Sequence, residues 1–187
     1  HVRRVTGGGF SELLFTTLQV GSLLRIEGPV GQFVYRESGA PLLMVAGGTG
    51  FAPMKSMLRH MLERGVQRET HLYWGARQAV DVYEEALVVD WVRKYPQLHF
   101  TAVLSDAPDP VMPPAPASSE KVSHQRLGWV HQVALADHPR LDVFDIYAAG
   151  PPALVEAVRT LYPQHGGVRL YFDSFDYAPL TALTSPR

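Results

Sequence analysis

From Pro41 onward, short apolar runs alternate with amphipathic segments, and this alternation constrains the chain more than any other feature. Five runs have strand length and composition: "LLMVA" (42–46), "THLYW" (70–74), "LHFTAVLS" (98–105), "VFDIYAA" (143–149) and "VRLYF" (168–172). Between the first two, Met54, Met57, Leu58, Met61 and Leu62 recur at the spacing of one helix face, which Gly65 ends. "EEALVVDWVRKY" predicts a second helix, acidic in its first turn and basic in its last, the sense that the helix dipole favours. "PPALVEAVRTLY" predicts a third. Strands alternating with helices imply a parallel sheet covered on both faces. The expected fold class is α/β, with a five-stranded parallel sheet covered by helices.

Residues 1–40 have a different rhythm. "LLRIEGP" and "GQFVYRE" are short extended runs separated by Gly and Pro, and "GGGFSELLF" precedes them. They predict the closing part of a small β-structure with one short helix, so the expected division is 1–40 and 41–187. The first residue is His1 rather than Met and "HVRRV" reads as part of a strand, so a fragment of a longer chain is expected. Asp106–Ser123 holds five prolines and predicts a surface excursion. No internal repeat of fixed period is present.

Composition narrows the function classes. Of 187 residues, 46% are hydrophobic and 19% charged, as in packed globular proteins. A net charge of −1 gives no bulk attraction to nucleic acid or an anionic membrane. No apolar run reaches the ~18–20 residues of a membrane span, and no charged-then-apolar leader opens the sequence. With no cysteine, this stretch holds no disulfide, thiol nucleophile or cysteine-ligated cluster. A cytoplasmic setting is expected.

Two glycine corners carry the chemistry. In "MVAGGTGFAPMKSML" a strand runs into Gly47, Gly48 and Gly50, and Pro53 opens a helix. "IYAAGPPALVEAV" repeats the pattern with Gly150 and Pro151. Glycine permits close backbone approach, and a helix starting there points free N–H groups into the gap, where phosphate is the usual guest. In a doubly wound sheet the first strand commonly lies beside the fourth, so the two corners flank one crevice at the switch point. A P-loop fails because the residue before Lys55 is Met54 rather than glycine. The G-x-G-x-x-G fingerprint is met at Gly48 and Gly50, with Pro53 in its third place. The plainer alternative is that these glycines only make tight turns.

In order, "GPVGQF", "AGGTGFAP", "LYWGAR", "YAAGPP" and "YFDSF" resemble the ferredoxin–NADP reductase superfamily, from about Arg3 to Ala178. The nearest likeness is to reductase components of bacterial oxygenases and to CDP-6-deoxyglucoseen (CDP-4-dehydro-6-deoxyglucose) reductase. The resemblance implies that residues 1–40 are the C-terminal part of a small antiparallel FAD-binding β-barrel, and that a nucleotide-binding sheet follows. It implies that backbone at Gly8, Gly9 and Phe10, with Ser11, lies under the flavin pyrophosphate. Gly47, Gly48, Thr49, Gly50 and Pro53 would line the pyrophosphate of NAD(P)H, and Gly75 and Arg77 would meet its adenosine side. Gly150 and Pro151 would flank the nicotinamide. Thr49, Ala149 and Phe175 would stand closest to the hydride path, with Ala149 where many relatives carry cysteine and Phe175 near the flavin ring. The family's R-x-Y-S stretch lies upstream of "HVRRV" in that order.

The implied activity is a flavin-dependent NAD(P)H oxidoreductase. Hydride passes from nicotinamide to FAD, and electrons pass on to a redox protein or to an iron–sulfur domain encoded upstream in the same chain. A lone Arg77, with no Lys/Arg cluster beside it, favours NADH over NADPH. The rival from another class is a non-catalytic nucleotide-binding or subunit-contact module. Other chemistries find no pattern. No G-x-S-x-G elbow occurs, and Ser174 reads as a lining residue. Trp74, Trp91 and Trp129 read as buried packing. Among eight histidines, His124, His131 and His138 are seven apart, but no H-E-x-x-H or H-x-x-x-H spacing exists, so no metal is expected.

Overall fold

A computed structural model describes residues 1–28, 30–106 and 122–175. His1–Gln32 form one compact unit and Phe33–Phe175 another. The second contains β1 (Leu42–Gly47), α2 (Phe51–Glu63), β2 (Thr70–Ala76), α3 (Glu85–Lys94), β3 (Leu98–Leu104), β4 (Val122–Leu127), α4 (Val130–Asp137), β5 (Asp145–Gly150), α5 (Pro152–Leu161) and β6 (Leu170–Ser174); α1 (Gly9–Thr16) lies in the first.

Among the described residues, six parallel strands, rather than the expected five, lie in the order β4-β3-β2-β1-β5-β6. β1 pairs with β2 on one side and β5 on the other, Leu42 standing opposite both Thr70 and Asp145. Strand order reverses there, between the two glycine corners. Every residue of β1 is buried, because a central strand covered on both faces must be apolar throughout. One face places Leu42, Met44, Leu72, Trp74 and Phe100 against Phe51, Met54 and Leu58 of α2 and Val88 and Val92 of α3. The other places Leu43, Val45, Val103 and Ile146 against Val130 and Val133 of α4 and Val158 of α5. Each fully buried side chain of this size is worth about 1.5–3 kcal/mol relative to exposure.

The ends of α2 follow from its sequence. Pro53 lies in the first turn, where a missing N–H breaks no helical bond. At the other end Gly65 takes φ +67°, its N–H meets the Leu62 carbonyl, and the Val66 N–H meets that of Met61. This is the double hydrogen bond of a glycine-terminated helix.

Two elements depart from the sequence reading. β4 is one of the sheet's two edge strands, and its polar "VSHQRL" has no apolar run to announce it. α4 is short, with only Val130, Val133 and Ala134 buried. Most of the proline-rich excursion, 107–121, lies outside the described residues. Among the described residues of 1–40, the regular element is α1, and the extended runs form no strand. A strand exists only through a ladder partner, which these runs do not find here.

Residues 33–40 belong to the α/β unit. Phe33 meets Tyr147 edge-on at 5.6 Å, and the Tyr147 hydroxyl accepts from Arg36 N at 2.9 Å and donates to the Val34 carbonyl at 3.2 Å. Below, Arg68 (5% exposed) pairs with Asp145 (3% exposed), which also accepts from Ser38 Oγ and, at 2.7 Å, from Arg169 Nε. Arg68 Nη1 donates to the Arg36 carbonyl at 3.0 Å, and its Nε donates to that of Ala40. Burial would raise the Asp145 pKa, but the Ser38 hydrogen bond and the two guanidinium groups outweigh it and hold the carboxyl below its ordinary value.

Candidate functional site: the paired glycine corners

At the carboxyl end of β1 the chain passes through a 3-10 turn, Gly48–Gly50, into α2. Gly48 takes φ +53°, a left-handed conformation costly to residues with a Cβ. The two corners then touch backbone to backbone. A Cβ on Gly50 would run into the carbonyl of Ala149 and stand 2.8 Å from Gly150 Cα; one on Gly150 would stand 2.7 Å from the Gly47 carbonyl oxygen. A Cβ on Gly47 would stand 2.7 Å from Leu154 Cδ2. Gly47, Gly50 and Gly150 thus satisfy the protein's own packing. They bring the starts of α2 and α5 together at the switch point.

Neither helix start is capped by a side chain, and neither has an acidic residue in its first turn. Pro151 and Pro152 stand at the start of α5, where no N–H is needed. Two helix ends, each equivalent to about +0.5 charge, therefore converge at the switch point with no acidic residue in either first turn. This arrangement suits a phosphate group.

Trp74, reading as a packing residue in the sequence, does more. Its ring is fully buried and stacks on Phe51 at 3.9 Å, while Nε1 donates to the Gly48 carbonyl at 2.9 Å. The indole fixes the turn from beneath. Tyr83 closes edge-on over Trp74 at 5.1 Å, and burial with Glu84 nearby pushes its hydroxyl up to about 12. The sequence signal for Trp74 is its place at the end of the run 70–74, and the structure sets it opposite Ala46, just before the corner.

Thr49 and Pro53 are half-buried at the corner. Lys55, the residue that suggested a P-loop, turns instead to Glu84 at 2.6 Å. A Cβ on Gly75 would stand 2.7 Å from Val130 Cγ1, so this glycine makes room for α4. Arg77, just past β2, is exposed. Pro151 is half-buried at the second corner, and Ala149 beneath it is fully buried within the apolar layer facing α2. Phe175 follows β6 and donates its N–H to the Gly150 carbonyl at 2.9 Å, which brings it to the same corner. Trp129 corrects its reading as buried packing, being 58% exposed at the start of α4.

In the first unit, α1 begins at Gly9 with no side-chain cap. Gly8 N–H is already taken by the Val5 carbonyl at 2.9 Å. Ser11 Oγ accepts from Val5 N at 3.1 Å and donates back toward the Val5 and Gly8 carbonyls. The groups at this turn open to a ligand are the first helical N–H groups, at Gly9 and Phe10.

The opposite end of the sheet carries a second polar cluster that sequence spacing did not reveal. His71 and His99 are register partners on β2 and β3, and their rings stack at 4.6 Å and 12°. His138 meets His71 edge-on at 4.6 Å. Burial, with His99 adjacent, lowers the His71 pKa; burial, with His71 adjacent, brings His138 down to about 4. Tyr73 donates to Asp137 at 2.9 Å, and Arg126 Nη1 donates to the same carboxylate oxygen.

Parallel strands, a switch point and converging helix starts define a nucleotide-binding α/β domain. The sequence matches the oxidoreductase NAD-binding domain family over residues 44–160. It is 36% identical over 179 residues to the CDP-6-deoxy-L-threo-D-glycero-4-hexulose-3-dehydrase reductase of Yersinia pestis, covering 96% of this chain and 50% of that protein. It is 34% identical over 178 residues to the ferredoxin–NAD(P)(+) reductase component of naphthalene 1,2-dioxygenase/salicylate 5-hydroxylase systems from Ralstonia sp, covering 94% of this chain and 51% of that protein. The crystal structure of the Amycolatopsis cytochrome P450 reductase GcoB superposes with a TM-score of 0.77 at 31% identity, over 93% of this chain and 50% of that one. The chain belongs to the oxidoreductase NAD-binding domain family, within the ferredoxin–NADP reductase superfamily. It spans about half the length of the curated relatives it matches. Among the described residues, no helix is long and apolar enough to cross a membrane.

Proposed function

We propose that this chain is the nucleotide-binding part of an FAD-dependent NAD(P)H oxidoreductase, working as the reductase component of an electron-transfer system. The observation that carries the reading is the convergence of two uncapped helix starts at the switch point, with Phe175 hydrogen-bonded to the second corner. Gly48, Thr49, Gly50 and Pro53 would hold the pyrophosphate and Gly150 and Pro151 the nicotinamide, with Thr49, Ala149 and Phe175 around the hydride path. Arg77 would meet the adenosine side. Arg77 and Asp81 share the segment after β2, so it has no net positive charge to attract a 2′-phosphate, which favours NADH.

The residues at the other cofactor's place fit in part. Gly9 and Phe10 offer helix-start N–H groups for a flavin pyrophosphate, whereas Gly8 N–H and the Ser11 hydroxyl are occupied within their own turn. Val20, Leu23, Ile26 and Val30 are exposed, as expected of a segment that packs within a larger flavin-binding barrel. FAD supplies the hydride acceptor and releases electrons singly or in a pair. The protein's part is to align the rings and exclude water, and it needs no acid–base residue for this. The electron acceptor is a redox protein or an iron–sulfur domain.

The test uses the natural full-length protein, loaded with FAD and titrated anaerobically with NADH and NADPH in parallel. Bleaching of the flavin band at lower NADH than NADPH concentration is the expected result. An FAD-loaded protein that neither nucleotide reduces would overturn the reductase reading. Failure to bind FAD, with NADH still bound, would favour the non-catalytic module.

A further inference from the structure

We infer that Glu69, His71 and His99 form a binding site for a divalent cation of the zinc class, at the end of the sheet opposite the glycine corners. One ligand atom from each lies within 4.8 Å of the others. His71 Nε2 and Glu69 Oε1 are 3.1 Å apart. In a tetrahedral zinc site, bonds of ~2.0–2.1 Å place neighbouring ligand atoms about 3.3 Å apart, so this pair already has the separation that a shared ion needs. His99 closes the remaining distance by side-chain rotation of under about 1.5 Å, the difference between 4.8 Å and that spacing.

The placement follows from the fold. His71 and His99 are direct register partners on adjacent parallel strands, so they stand side by side on one face. Both precede the stretch that α4 covers, because Tyr73 and Val103 further along the same strands pack in its layer. Both imidazoles are half-buried, His71 is walled by His138 and Phe144, and Glu69 is exposed. The walls hold His71 in place, Glu69 already reaches its Nε2, and His99 is the side chain that must turn onto an ion. His138 is not a ligand in this arrangement, since its Nε2 faces the Tyr73 hydroxyl at 3.2 Å. Two nitrogens and one carboxylate oxygen suit zinc, and a fourth position is left to water. No H-x-x-x-H or H-E-x-x-H spacing announces such a site, because strand register rather than helix pitch assembles it.

The protein is first stripped with a chelator, and Zn²⁺ binding is measured by competition with a chromophoric chelator. Unfolding is followed with and without metal, and Co²⁺ is added as a spectroscopic probe. We expect one equivalent of Zn²⁺ to bind, a melting midpoint higher by roughly 5–10 °C at a hundredfold excess over Kd, and the visible absorption of tetrahedral Co²⁺. Glu69→Gln, an exposed change that leaves the fold intact, should weaken Zn²⁺ binding about tenfold or more, and His99→Asn should abolish it. His165→Asn, at an exposed histidine elsewhere, should bind as the parent does. No saturable binding, or equal binding by Glu69→Gln and the parent, would overturn the site. The outcome is independent of flavin reduction, because no step uses the glycine corners.

Discussion

Replacing Gly50 with alanine tests whether the two corners are held together by the absence of a side chain. The added Cβ would stand 2.8 Å from Gly150 Cα and nearer still to the Ala149 carbonyl, whereas ordinary contact begins at 3.4 Å. The corners must therefore separate by more than 0.6 Å, which is the shortfall at the farther of the two contacts alone. Backbone on both sides leaves no rotamer to absorb this, so the cost belongs at the upper end of overpacking, about 3 kcal/mol. Gly50 already has helical angles, φ −59° and ψ −13°, so alanine regains up to about 1 kcal/mol in propensity. The net loss is about 2 kcal/mol, or roughly 4–8 °C in melting midpoint for a chain of this size. Two comparison variants calibrate it. Gly75→Ala meets a side chain, Val130, and should lose about half as much; Gly39→Ala meets nothing within 4 Å and should be neutral or slightly stabilising. Thermal and urea unfolding, followed by circular dichroism and tryptophan fluorescence, give the order directly. If Gly50→Ala unfolds with Gly39→Ala, the corners are not in the contact described and the reasoning fails.

Two further perturbations separate the ends of the sheet. Trp74→Phe removes the N–H that fixes the Gly48 carbonyl and should cost about 1–3 kcal/mol; in the FAD-loaded full-length protein it should also raise KM for NADH, measured by steady-state kinetics. Asp145→Asn leaves the buried Arg68 without its counter-ion and should cost about 3–5 kcal/mol by urea unfolding at neutral pH. Because the folded Asp145 pKa is depressed, its ionic stabilisation is complete above the unfolded value of about 3.9. That stabilisation is lost as pH falls through the folded value, so the gap between parent and variant should narrow in acid.

Legibility followed burial. β1 is apolar at every position because both faces are covered, and α2 shows its stripe because one side meets the sheet, so both could be read from residue patterns. The neighbour relation between β1 and β5 followed from the two glycine corners. β4 escaped because an edge strand partnered on one side tolerates "VSHQRL", and α4 escaped because three buried residues make a faint stripe. Residues 33–40 read as part of the preceding β-structure because their attachment depends on Ser38, Arg68 and Asp145, which are far apart in sequence. The same limit hid the His71–His99 pair, since register is a property of the assembled sheet. The corners were located correctly, yet the roles of their glycines were only half visible. A sequence shows where a Cβ is missing, but not whether a ligand or another strand occupies the space.

All six strands point the same way, and this polarity separates binding from acid stability. The carboxyl ends gather helix starts whose partial positive charges have no acidic residue in their first turns, so an anion there completes the electrostatics. The amino ends gather full charges that pair with one another, with Asp145 between Arg68 and Arg169. An anionic nucleotide should therefore stabilise through the corners, and acid should destabilise through the opposite end. Asp145→Asn should leave nucleotide affinity unchanged while lowering stability, whereas Trp74→Phe should change both. A nucleotide Kd that shifts in Asp145→Asn while Trp74→Phe binds normally would reverse the assignment of the two ends.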